Sequence, residues 1–330
     1  MIICRTPFRV SFFGGGTDYP VYYEENGGAV LSTSINKYCY VTCRSLPPFF
    51  DYRHVIRYRK REEVRSISEI QHPTVRECLS LVQPNCGTEI QHNADVPAMS
   101  GLGTSSAFTV GLLNALYALK GEMRTKRQLA LNAICVEQDK AGISVGSQDQ
   151  TIAAFGGLNR IEFGGSQKIL VTPLTVAQSK LDDLQNHLLL LFTGFSRDAS
   201  EVAAEQIRTT PTKKDELRRM YEMVGEAINI LNDGDLVDFG KLLHESWMIK
   251  RGLTNKITTS LIDEIYETGR RAGAVGGKLL GAGSGGFILF FVRPELRSNV
   301  RRELSNLLHV PFKFEGIGSH IIFYEPEEDV

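Results

Sequence analysis

The chain has 330 residues, enough for about two domains that each bury a core. Hydrophobic residues make up 42% and charged ones 23%, which excludes a disordered chain, and a formal net charge of -1 leaves no field for nucleic acid or an anionic membrane. The N-terminus lacks a basic stretch followed by a long apolar one, and the longest apolar run, Phe287–Val292, is too short to span a bilayer. The six cysteines show no CxxC pair or metal-ligand spacing, so reduced thiols and a cytoplasmic location are expected.

In chain order, two strand-like stretches come first, Ile2–Phe13 and Ala29–Cys43, rich in β-branched and aromatic residues. The first runs into Gly14-Gly15-Gly16-Thr17-Asp18. A hairpin turn accounts for the glycines but not for Arg9 inside an otherwise apolar strand. The basic run Arg57–Arg61 is followed at once by Glu62 and Glu63 and reads as a solvated loop or hairpin. Between Arg44 and Ile90 only a helix over 74–82 stands out. From Ser105 the period changes: Phe108, Gly111, Leu112, Ala115, Leu116 and Leu119 mark one face of a buried helix. A second helix is expected from about Lys126 to Lys140, closed by Gly142, then short strands near Gly157–Phe163 and Lys168–Leu174. The stretch Thr175–Gln185 is polar and without pattern. The domain boundary is placed there, giving units of 1–184 and 185–330. Beyond it come a strand (Leu188–Phe192), four helical segments between Asp198 and Ala272, a glycine-rich turn, the strand Phe287–Val292, a helix (Glu295–Leu307) and two terminal strands. This mixed order fits two α+β domains better than one doubly wound sheet.

Chemistry concentrates in the glycine-rich segments. Pro97-Ala98-Met99-Ser100-Gly101-Leu102-Gly103-Thr104-Ser105-Ser106-Ala107 leads into the first helix. Its glycines let backbone approach a ligand, and the N–H groups and dipole of a helix N-terminus favour an anion. The hydroxyls of Thr104, Ser105 and Ser106 can cap the helix, or hold Mg²⁺ and phosphate oxygens. Two glycines and three hydroxyls exceed what a cap needs, so phosphate binding is the stronger reading. A Walker A loop is excluded, because Ala272 stands five before Gly277 and Leu279 follows Lys278. A GxGxxG occurs at Gly281, Gly283 and Gly286, but it leads into a strand instead of opening a helix, so the dinucleotide-binding context fails. Gly276–Gly286 holds six glycines in eleven residues, too many for a regular element, and a structured loop with close backbone contacts is expected.

Together these segments resemble the GHMP kinases, the family of galactokinase, homoserine kinase, mevalonate kinase and phosphomevalonate kinase. Pro97–Ala107 matches the family's PxxxGLGSSAA, with Thr104 for the first serine and Ser106 for an alanine, and Gly281–Gly286 matches its GAGxGG loop. The resemblance implies an N-terminal domain like the second domain of ribosomal protein S5 and a ferredoxin-like C-terminal domain. It implies ATP and Mg²⁺, with nucleotide contacts from Pro97, Ser100, Gly101, Leu102, Gly103, Thr104, Ser105 and Ser106. Metal ligands would be Ser105 and Glu137. The catalytic base would be Asp149, in a stretch (Gly146–Gln150) similar to the CGIMDQ of galactokinases. Read without the resemblance, Glu137 could equally pair with Lys140, and Asp149 could be a helix N-terminal acid.

A narrower resemblance, over Arg9–Asp18, Thr193–Ser200 and Trp247–Lys250, is to the D-glycero-D-manno-heptose 7-phosphate kinases. These make a heptose 1,7-bisphosphate for nucleotide-activated heptose and surface polysaccharides. Fucokinases share much of this pattern, so a sugar-1-kinase acting on an unphosphorylated sugar stays open, as does a non-catalytic sugar sensor. Candidate substrate contacts are Arg9, Gly15, Gly16, Asp18, Arg197, Lys278 and Gly283. Asp18 would accept from ring hydroxyls, Arg9 would orient Asp18 or touch a phosphate, and Arg197 and Lys278 would bind anions. ATP and a small sugar phosphate are the expected partners, without nucleic acid or membrane, and a homodimer is left open.

Overall fold

A computed structural model describes residues 1–165, 168–195 and 200–325. Strands β1 (Ile2–Phe13) and β2 (Gly28–Leu46) run antiparallel, and their register shifts between Pro7 and Phe8 and between Ser11 and Phe13. A proline cannot donate to the ladder, which is why the first irregularity falls beside it. From Phe8 onward β1 is buried on both faces. The short helix α1 (Pro20–Asn26) links these two strands.

Next come β3 (His54–Arg57) and β4 (Arg61–Val64), a hairpin whose turn carries the basic run, then α2 (Pro73–Val82) and β5 (Gly87–Ala94). Because β5 is antiparallel to β2 and parallel to β3, the sheet is mixed. Helix α3 (Thr104–Leu119) packs on β1 and β2 and is apolar around most of its circumference, the mark of a core helix. Its Gly111 has a reason: a Cβ there would sit 2.7 Å from Thr6 Oγ1 of β1. Helix α4 (Lys126–Ile134) opens with a Thr125/Gln128 capping box and continues as a π-helical segment, Cys135–Lys140. Helix α5 (Gln148–Phe155) and strands β6 (Leu158–Phe163) and β7 (Ile169–Pro173) follow.

Helix α6 (Gln178–His187) occupies the polar stretch expected to be patternless. It buries only Leu184, so no apolar stripe was there to be read. After β8 (Leu188–Phe192) come α7 (Ser200–Thr209), α8 (Lys214–Asp233), α9 (Leu236–Arg251) and α10 (Ser260–Arg271), the four expected helical segments. Then β9 (Ala274–Leu279), β10 (Phe287–Val292), α11 (Arg297–Glu303), β11 (Leu308–His309), β12 (Phe314–Glu315) and β13 (His320–Tyr324) complete the chain. The first half of the expected loop over 276–286 is therefore strand. A Cβ on Gly276 would lie 1.9 Å from Gly240 O, so glycine lets helix α9 lie against β9.

Among the described residues the architecture is α+β, with one mixed sheet ordered β13–β1–β2–β5–β3–β4 and one antiparallel sheet ordered β11–β8–β10–β9. Strands β6 and β12 also pair with β2, and β7 with β6. The antiparallel sheet draws only on residues after 187, but β12 and β13 return to the first sheet. Among the described residues no helix is long and apolar enough to cross a membrane.

Candidate active site

The segment before α3 holds its shape through glycine. Gly101 (φ +84°) and Gly103 (φ +73°) adopt the left-handed region, and Gly103 is the N-cap of α3. No side chain caps the helix: Thr104 Oγ1 accepts instead from Met99 N at 3.2 Å. The orphan N–H groups of the first turn therefore remain for a ligand. The second glycine-rich segment docks on the first, backbone to backbone. A Cβ on Gly101 would sit 2.4 Å from Leu280 O, one on Gly281 2.6 Å from Gly101 Cα, and one on Gly286 2.1 Å from Ser100 O.

Beside this junction lies a cavity of about 420 Å³. Of the expected site residues, Arg9, Gly15, Gly16, Asp18, Gly101, Gly103, Thr104, Ser105, Ser106, Glu137, Asp149 and Lys278 line it. Four others are not among its lining. Pro97 is exposed. Ser100 and Leu102 are buried supports, their carbonyls accepting from Phe287 N and Arg9 N at 3.1 Å. Gly283 packs on Ile257, whose carbonyl oxygen would lie 2.6 Å from a Cβ there. Arg197 lies outside the described residues.

Arg9 does not reach for Asp18. Its Nε donates to Asp149 Oδ1 at 2.7 Å and its NH2 to Oδ2 at 2.6 Å, while NH1 donates to Gly101 O at 2.5 Å. One guanidinium thus ties β1, the glycine-rich backbone before α3 and the first turn of α5. The fork geometry of arginine allows this, which answers why a cation interrupts an apolar strand. Asp18 accepts instead from Gly16 N at 2.8 Å, and burial pushes its carboxyl above the ordinary range.

Glu137 does not pair with Lys140. The π-helical segment turns it inward, where it is fully buried. Oε2 accepts from Ser106 at 2.8 Å and Gln150 at 2.5 Å, and Oε1 from Thr109 at 2.8 Å and Ser105 at 3.3 Å. Burial raises its pKa, and these hydrogen bonds oppose the rise. The oxygen donors Ser105 and Glu137 face the cavity at the N-terminus of α3, which fits Mg²⁺. That ion takes few protein ligands and shares the rest with phosphate and water.

Two lysines complete the charge pattern. Lys278 Nζ donates to Phe12 O at 2.8 Å, and Lys250 Nζ to Gly281 O at 2.5 Å. Both are buried and line the cavity; burial lowers Lys278 well below the usual lysine range and Lys250 to about 8. No role for Lys250 was drawn from the sequence. The signal was its place on the apolar stripe of α9, where Phe239, Leu243, Ser246 and Lys250 follow at i, i+4, i+7 and i+11 and all are buried.

Residues 73–157 match the N-terminal domain of the GHMP kinases, and residues 214–310 match the GHMP kinase C-terminal domain. A D-glycero-alpha-D-manno-heptose 7-phosphate kinase of Campylobacter jejuni subsp. jejuni is 28% identical, covering 96% of this chain and 97% of its own. An L-fucokinase/L-fucose-1-P guanylyltransferase of Bacteroides fragilis is 25% identical, covering 91% of this chain but 36% of its own. The crystal structure of a D-glycero-D-manno-heptose 1-phosphate kinase from Bacteriodes thetaiotaomicron aligns with a TM-score of 0.80 at 26% identity, over 97% of this chain and 98% of that one.

Proposed function

The chain belongs to the GHMP kinases, and from that premise we propose that it is a cytoplasmic sugar kinase transferring the γ-phosphoryl group of ATP to the anomeric hydroxyl of D-glycero-D-manno-heptose 7-phosphate. The product would be the heptose 1,7-bisphosphate used for nucleotide-activated heptose and surface polysaccharide. The observation that carries kinase chemistry is one cavity bringing together a phosphate-type helix N-terminus, the Arg9–Asp149 pair and the buried acid Asp18. The likeness to heptose phosphate kinases along nearly the whole chain supports the choice of sugar.

Phosphoryl transfer depends on positioning and charge more than on covalent chemistry. The backbone N–H groups of Gly101–Ser106 cradle the nucleotide phosphates. Mg²⁺, held by Ser105 and Glu137, would supply charge neutralisation for the triphosphate. The anomeric oxygen forms the new bond to phosphorus, the bond to the bridging oxygen breaks, ADP leaves, and Asp149 accepts the hydroxyl proton. Arg9 holds both oxygens of that carboxylate, and its bond to Gly101 O fixes the base relative to the phosphate loop. Asp18 accepts from a sugar hydroxyl, and Lys278 offers an Nζ donor on the same cavity. In this reading residues 1–184 hold the nucleotide and the base, while 185–330 close the acceptor side.

The test is ADP release measured with heptose 7-phosphate, mannose, fucose, galactose and mevalonate. Heptose 7-phosphate should lead the unphosphorylated sugars by at least ~10² in kcat/KM, because a buried charge-assisted phosphate contact separates substrates strongly. Equal turnover of an unphosphorylated sugar would sink this assignment and leave a sugar-1-kinase. Sugar binding without any ADP release would leave a sensor.

A further inference from the structure

Two side-chain amides line the acceptor half of the cavity, each with one buried atom left bare. Gln148, at the start of α5, lies beside the Asp18 carboxylate and helps to hold its pKa down against burial. Its Oε1 is buried and, among the described residues, has no partner. Gln206, on α7, accepts at Oε1 from the Tyr19 hydroxyl at 3.2 Å, and its Nε2 is buried with no partner. Ser11 Oγ, from β1, is a third buried orphan on the same cavity. Gly15 leaves room between two of these side chains: a Cβ there would lie 3.7 Å from Gln148 Nε2 and 4.0 Å from Ser11 Oγ.

A folded protein rarely leaves buried polar atoms unpaired, so three that face one cavity point to a ligand that supplies their partners. The kind of atom left bare identifies that ligand. Gln148 offers an acceptor, Gln206 a donor, Ser11 either, and Asp18 an acceptor. A phosphate carries acceptors only at neutral pH and would leave Gln148 and Asp18 unanswered. Neighbouring hydroxyls both donate and accept, and satisfy the whole set. We propose that Gln148, Gln206 and Ser11 are specificity-determining residues that read adjacent hydroxyls of a polyol acceptor alongside Asp18. This rests on the kinase reading for which half of the cavity takes the acceptor, but not on which sugar it is.

Gln148→Met and Gln206→Met keep side-chain length and remove the whole amide, the bare atom with the other. Steady-state kinetics with the sugar that the wild type uses best should show KM for that sugar raised about tenfold in each variant, as for a lost hydrogen bond in a dry site. KM for ATP should hold within about twofold. Melting temperature does not serve alone as the readout, because Gln206→Met also takes the acceptor from the buried Tyr19 hydroxyl. A rise confined to KM for the sugar is the result that a structural role would not give. Gln206→Glu adds a check: a hydroxyl can turn to donate to the new carboxylate, so its KM should rise no more than that of Gln206→Met. Sugar KM unchanged in both Met variants overturns the inference, as does a rise matched by an equal rise in KM for ATP. If the best substrate proves unphosphorylated and the variants still raise its KM, the heptose 7-phosphate assignment falls and this inference stands. If equilibrium binding detects no polyol at all, both fall.

Discussion

Asp149, Glu137 and Asp18 face one cavity, and their partners separate their tasks. Asp149 is gripped by a guanidinium, Glu137 by three hydroxyls and an amide, and Asp18 by the backbone N–H of Gly16. Lys250 supplies the titration to test. Burial first, and then the nearby Arg9, lower it from an ordinary 10.5 to about 8, while Asp18 and Asp149 oppose the shift. At neutral pH it is mostly charged and sits beside Gly281, next to the proposed phosphate site. As pH rises through about 8 that charge is lost, so kcat/KM for anionic substrates should fall over the same range. Lys250→Arg keeps its charge and should remove this limb. The sign for stability is opposite. The folded pKa lies below the unfolded one, so between about 8 and 10.5 the unfolded chain binds more protons and Lys250 makes stability rise with pH. Activity that falls while melting temperature holds would therefore report the lost charge; a flat profile in the wild type, or one unchanged in Lys250→Arg, would remove Lys250 from substrate binding.

At the scale of elements, the two glycine-rich segments act as one because neither has side chains where they touch. Gly281→Ala combines a left-handed φ of +77° with a Cβ 2.6 Å from Gly101 Cα. Gly121→Ala shares the backbone strain, at φ +70°, but meets nothing within 4 Å. Each should lose on the order of 1–3 kcal/mol from strain, but only Gly281→Ala should displace the loop before α3, the proposed phosphate site, and raise KM for ATP several-fold. Equal ATP kinetics in the two variants would show that the docking is not needed. The same contacts explain what was legible beforehand. The loop before α3 could be read because its glycines and hydroxyls are contiguous and serve a local task. Strand β9 could not, because Gly276 answers to Gly240 on another element. Nor could Gln206 be singled out, since what distinguishes it is a bond from Tyr19, which lies 187 residues away. Arg9 was noticed as out of place, but its partner Asp149 became visible only in three dimensions.

At the scale of the whole molecule, the cavity has firm walls because the two sheets share a core. Phe239 of α9 meets Phe12 and Phe13 of β1 edge-on at 5.4 and 5.1 Å, joining the halves with apolar contacts. The chain then returns from the second sheet to clamp the first. Strand β13 pairs with β1 from Ile2↔Tyr324 to Arg5↔His320, and β12 pairs with β2 at Ile35 and Ser34. Between them, Ser319 Oγ accepts from Thr6 Oγ1 at 2.9 Å and from Asn114 Nδ2 of α3 at 3.1 Å, and Ser319 N donates to Ala153 O of α5 at 2.8 Å. Gly318 lies on the same turn of α5, where a Cβ would be 2.2 Å from Ala154 O. Because α5 also carries Asp149, the terminal strands steady the proposed base without touching the cavity. A chain ending at Lys313 loses several buried hydrogen bonds at about 0.5–1.5 kcal/mol each. At roughly 2–4 °C per kcal/mol for a unit of this size, its melting temperature should fall by on the order of 10 °C. Its kcat should fall more than its affinity for ATP, since α5 loosens while the N-terminus of α3 keeps its packing on β1 and β2. Ser319→Ala should lie between the two, as it removes the side-chain bonds but leaves both strand pairings. A truncated enzyme with the melting temperature and kcat of the full chain would mean that α5 is held by its own unit alone.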